Sequence, residues 1–88
     1  MRTLTVAQLV SLNLESRQIV ITIDDEVFVQ GFVNNIDTSK EPPWIMIRDG
    51  HGSLGIVFFL SPTCTITQLT GGEIHIQEDS CQATIYPE

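Results

Sequence analysis

Residues 27–37 read Val27-Phe28-Val29-Gln30-Gly31-Phe32-Val33-Asn34-Asn35-Ile36-Asp37. Branched and aromatic side chains dominate the run, and these fit a pleated surface, which predicts a strand over 27–36. Alternation puts Val27, Val29 and Val33 on one face, and Phe28 and Phe32 on the other. Gly31 falls in the middle. A glycine inside a strand packs no side chain and lets another backbone come close, so it marks a bulge or a sharp bend. The expectation is one long strand, bent at Gly31.

On the N-terminal side, Gln18-Ile19-Val20-Ile21-Thr22-Ile23 predicts a strand over 18–23 with Ile19, Ile21 and Ile23 sharing a face, and Asp24-Asp25-Glu26 is the turn. Further upstream, residues 5–13 read as a short helix. Thr5 and Gln8 have the spacing of a capping box, in which each side chain satisfies an orphan amide of the other residue. Leu4 and Leu9 stand at the staple positions, Val6, Leu9 and Val10 share one face, and Asn13 is the stop. A helix of about two turns does not hold in water alone and has to dock.

On the C-terminal side, Asp37 to Pro43 is a polar loop. Residues 44–48 and 54–60 are strands joined by Asp49-Gly50-His51-Gly52, whose glycines supply positive φ without steric cost. In the second of these, Leu54, Ile56, Phe58 and Leu60 share one face, and Val57 and Phe59 the other. Ser61-Pro62 interrupts, because proline has no amide to donate. Residues 63–69, carrying Cys64 and Ile66, resume as a strand. After Thr70-Gly71-Gly72, residues 73–77 and 82–86 form a hairpin with Glu78-Asp79-Ser80 at its tip. Short strands with turn signals roughly every ten residues belong to a sandwich or barrel. A long bent strand and one short helix favour the barrel, whose closure removes open edges. The expected fold is a single mainly β domain over 1–88: helix 5–13, a small strongly bent five-stranded barrel over 18–69, and a C-terminal β-hairpin over 73–86.

Composition bounds the function. Hydrophobic residues make up 42% of the 88 and charged residues 17%, which is the balance of a folded chain. Net charge is -7, with Arg2, Arg17, Lys40 and Arg48 set against eleven acidic residues. Binding to nucleic acid or to an anionic membrane needs clustered Lys and Arg, so this composition argues against both. It suits solubility or a basic protein partner. No run of 18 apolar residues exists, and Met1 to Leu14 lacks the apolar stretch of a signal peptide. A cytoplasmic location is expected, with Cys64 and Cys81 as free thiols.

The stretch from Val27 to Asp37 resembles the first signature of the Sm-like family, whose members share the SH3-like barrel. There a strand carries a central glycine and ends a few residues later in an aspartate; Gly31 and Asp37 stand at those places. The resemblance covers about residues 5–69 and implies a short helix followed by five bent strands. It also implies assembly, since Sm-like subunits join by pairing their fourth and fifth strands. The RNA-binding motifs are not matched. The loop Thr38-Ser39-Lys40-Glu41-Pro42-Pro43 has no base-holding asparagine, and Leu60-Ser61-Pro62-Thr63 stands where a basic residue and a glycine would fall.

No catalytic motif is present. Nothing forms a nucleophile elbow, and Thr70-Gly71-Gly72 has no lysine or helix behind it to cradle phosphate. His51, Cys64, His75 and Cys81 are separated by 13, 11 and 6 residues, which matches no tight ligand pair. Asp24-Asp25-Glu26 lacks the spaced oxygens of a calcium loop. No metal or cofactor is expected, and the chain reads as a non-enzyme.

The candidate binding residues are Trp44, Arg48, His51 and Phe59. Trp44 and Arg48 share a strand face, His51 sits in the turn that follows, and Trp and Arg are the types most often found at the energetic centre of an interface. Strand 54–60 is apolar on both faces, so the face bearing Phe59 needs cover, and self-association is expected. The leading expectation is a self-associating, protein-binding module. One alternative is an Sm-like RNA-binding module. Another is an acidic inhibitor mimicking nucleic acid, which requires Asp24, Asp25 and Glu26 to lie beside Glu78 and Asp79.

Overall fold

The computed structural model describes residues 1–51 and 53–87, without the side chain of Leu54. The turn role of Gly52 and the facing of Leu54 therefore lie outside the described residues. The chain folds as β1 (Arg2–Leu4), α1 (Val6–Val10), β2 (Gln18–Ile23), β3 (Glu26–Asp37), β4 (Trp44–Arg48), β5 (Leu54–Phe59), β6 (Thr65–Gln68), β7 (Ile74–Glu78) and β8 (Cys81–Ile85). All eight strands join one antiparallel sheet in the order β1-β6-β7-β8-β2-β3-β4-β5, which is not closed among the described residues.

β3 is the long bent strand. From Glu26 to Phe32 it pairs with β2, and from Phe32 to Asp37 with β4. Gly31 sits at the exchange. A Cβ there would run into the Arg48 carbonyl oxygen and lie 3.1 Å from Ile47 Cγ2, so only glycine lets the β4 backbone come this close. The facing within β3 departs from strict alternation. Ile21 pairs with Val29 but Thr22 with Val27, which leaves Phe28 as an extra residue. Val27 and Phe28 are consequently both exposed, whereas Val29 is half-buried and Val33 fully buried.

The C-terminal hairpin is not an appendage to a five-stranded barrel. β7 and β8 stand inside the sheet, between β6 and β2. Ile66 pairs with Ile76, Ile76 with Ala83, and Ala83 with Ile21, so one inward row crosses four strands. Ile74, Ile76, Ala83 and Ile85 all have no exposed surface. The tail holds few apolar residues, but these four lie on its inward face, and period-two placement decides burial in a strand.

Near the N-terminus, three residues pair with β6 as β1, with Leu4 opposite Ile66; this strand is too short to show periodicity. α1 is shorter than 5–13. Thr5 is its N-cap and the capping box with Gln8 forms, at 2.8 and 3.1 Å. The helix ends at Val10 with Ser11 as C-cap, and Asn13 takes a positive φ of 55°. Leu9 is fully buried and Val6 half-buried, but Val10 is 40% exposed, so the helix presents a narrower face than three apolar residues imply. Strand β5 stops at Phe59, and β6 begins at Thr65, past Cys64.

Candidate strand-binding edge and groove

β5 ends the sheet, so one of its edges meets no strand among the described residues. The Leu60 amide donates to the Pro43 carbonyl at 2.8 Å. Antiparallel ladders alternate, so the backbone groups of Phe58 also face β4, and those of Val57 and Phe59 face outward. Beside this edge lies an apolar groove of about 240 Å³. Ile23 of β2, Phe28 of β3, Ile56 and Phe59 of β5 and Cys81 of β8 line it, with Glu78 as a charged member. Phe28 is 58% exposed and Phe59 51%. Phe28 enters the groove because of the bulge, which falls three residues before Gly31, where a bulge or bend is expected from the sequence.

Trp44 and Phe59 come together: they are paired across β4 and β5, and their rings meet edge to face with centroids 5.7 Å apart. Lys40 Nζ stands 5.9 Å from the Trp44 ring centroid, a cation–π contact. The indole Nε1 is buried without a hydrogen-bond partner among the described residues. Arg48 and His51 do not join this cluster. Arg48 is at the far end of β4, where its guanidinium lies 5.5 Å from the Phe32 centroid and donates to Ser16 Oγ at 3.0 Å. His51 is exposed in the following turn, its amide donating to Asp49 Oδ1 at 2.8 Å. Sharing a strand face fixed direction but not distance, and four residues of extended chain span roughly 13 Å.

The acidic turns also converge. Ile23 pairs with Cys81, and the Asp24 amide donates to the Ser80 carbonyl at 3.1 Å. Asp24 and Asp25 both take positive φ, 53° and 66°, as a tight primed hairpin requires. Asp24, Asp25, Glu26, Glu78 and Asp79 therefore crowd the end of the sheet where Ile23 and Cys81 line the groove. None of these carboxylates makes an ion pair among the described residues. Glu78 instead accepts from Ser61 Oγ at 2.6 Å and Thr63 Oγ1 at 2.8 Å, and these bonds hold its carboxyl below the ordinary glutamate range.

Asp37, the aspartate of the Sm-like signature, closes a local turn. Its Oδ1 accepts from the Ser39 hydroxyl at 2.6 Å and the Ser39 amide at 2.9 Å, and both bonds lower its pKa. Cys64 and Cys81 are free and half-buried. Burial, and then the nearby Glu78 charge, push the Cys64 thiol up and away from thiolate chemistry. Among the described residues, no three His, Cys, Asp or Glu side chains converge on a metal-sized site, and no helix is long and apolar enough to cross a membrane. None of the protein-family models, characterised proteins or solved structures compared with the chain matches it.

Proposed function

We propose that this chain is a non-enzymatic interaction module, a small open barrel that binds protein by adding a strand to β5. The carrying observation is the outward backbone edge of Val57 and Phe59 beside a groove lined by Phe28 and Ile56. An added strand gains main-chain hydrogen bonds from such an edge, and side-chain specificity from the groove. Proteins usually blunt an open edge with charge or proline, and β5 carries neither.

A second copy is the second reading of what fills the edge. A Cβ on Gly55 would meet nothing within 4 Å, and in a two-fold pairing centred on Val57 the exposed Phe59 ring falls opposite that space. The Sm-like ring has less support. β6, the fifth strand of the resembled barrel, is already paired on both edges, by β1 and β7. An RNA-binding reading has four cations to work with, and Arg48 and Lys40 lie over aromatic rings. The acidic mimic does have its turns side by side, but it leaves the apolar groove without a role.

The test is peptide display against the wild-type chain and Val57→Pro, with native mass spectrometry of both. Proline removes the outward amide and costs no bond to β4. Strand addition predicts selected peptides, or a dimer, with the wild type alone. A monomeric wild type that selects nothing beyond Val57→Pro sinks the reading.

A further inference from the structure

We infer that the strand taken by β5 is cationic: an extended segment alternating apolar residues with Lys or Arg, from a partner protein. This rests on the strand-addition reading above and names its partner. The groove supplies the apolar half of the recognition, through Ile23, Phe28, Ile56 and Phe59. The adjoining turns supply the charged half.

Asp24, Asp25 and Glu26 on one turn, and Glu78 and Asp79 on the next, are held together by the Ile23–Cys81 pairing and the Asp24–Ser80 hydrogen bond. No Lys or Arg of this chain pairs with them among the described residues. Like charges packed at one end repel, and a partner's cations relieve that repulsion as they bind. Glu78 belongs to both halves: it lines the groove, and its carboxylate is fixed by Ser61 and Thr63. A second copy is the poorer occupant on charge. It brings another net charge of -7 and only four cations, of which Arg48 and Lys40 are engaged on rings.

The probe is a capped eight-residue peptide alternating valine and lysine, titrated by calorimetry into the full chain. Valine–threonine and valine–glutamate peptides of the same length are the controls. The lysine peptide is expected to bind about tenfold more tightly than the threonine peptide, from a few exposed charge contacts. That advantage should shrink as salt rises. Asp24→Asn/Asp25→Asn/Asp79→Asn, which keeps Glu26 and Glu78, should cut it to about threefold or less while leaving the threonine peptide unchanged, since asparagine tolerates the positive φ at all three positions. Val57→Pro should abolish binding of both.

Equal affinity for the lysine and threonine peptides, both lost in Val57→Pro, overturns the cationic partner and leaves strand addition standing. A lysine peptide that binds Val57→Pro as well as wild type shows bare charge attraction and overturns both. A wild-type dimer, lost in Val57→Pro and not displaced by the lysine peptide, makes the second copy the occupant and overturns the inference. Binding of none of the peptides also overturns it.

Discussion

The Ser61 hydroxyl donates to the Glu78 carboxylate at 2.6 Å, which ties the chain leaving β5 to the end of β7. Thr63 donates to the other carboxylate oxygen at 2.8 Å, and the two hydroxyls stand 3.1 Å apart. The bonds favour the ionised form and lower the Glu78 pKa below its unfolded value. A lowered pKa contributes stability that is present above the unfolded value of about 4.3 and is lost as pH falls through the folded one. Melting temperature should therefore drop more steeply below about pH 4.3 in wild type than in Glu78→Gln. Asp37, also lowered by Ser39, keeps some slope in the variant. Parallel melting curves from pH 6 to 3 would show that Ser61 and Thr63 do not discriminate between the two forms of Glu78.

The hairpin β7–β8 should be as necessary to folding as β2. Ile74 and Ile76 have no exposed surface, so Ile74→Ala or Ile76→Ala should cost about 2–5 kcal/mol in urea denaturation. Val27→Ser, at a position 58% exposed, should change stability by about 0.5 kcal/mol or less. A chain ending at Leu69 leaves β2 and β6 without the strands between them, and circular dichroism should find it unfolded. A folded truncated chain would mean that β6 can pair directly with β2.

Much of the fold was legible because the apolar residues fall at period two. Ile19 and Ile21, expected on one face with Ile23, are both buried, while Ile23 at the strand end is half-buried; Ile45 and Ile47, and Ile74 and Ile76, fall at the same spacing and are buried too. Strand order was not legible, since periodicity fixes which face is buried and not which strand is the neighbour. The hairpin's place between β6 and β2 follows from pairings far apart in sequence, such as Ile19 with Ile85. The candidate site was half legible. Phe59 stood out as a surplus apolar residue and lies in the groove. Strict alternation puts Phe28 on the face shared with Phe32, because Gly31 marks a break in the strand without saying that the extra residue is Phe28. The acidic turns were visible as two runs, and only the pairing of Ile23 with Cys81 makes them one surface.

Thr5 should be a stability determinant although it is exposed. Its hydroxyl accepts the Gln8 amide at 3.1 Å, and the helix it starts carries Leu9 into the core. Thr5→Ala should cost about 1 kcal/mol by denaturant titration, and Thr5→Ser should restore most of it. If both variants match wild type, Leu9 burial alone holds α1 in place.

Gly31→Ala should be the most damaging of the single-methyl changes in the sheet. The added methyl meets the Arg48 carbonyl oxygen, which is backbone and moves only if β4 shifts. Overpacking of this kind costs about 1–3 kcal/mol, and here it strikes the residue where β3 passes from β2 to β4. Gly55→Ala is the matched control on β5, because its Cβ would meet nothing within 4 Å. Denaturant titration should show a clear loss for Gly31→Ala and little change for Gly55→Ala. Equal stability of the two variants would mean that β4 yields freely, and that the bend in β3 does not depend on close backbone approach at Gly31.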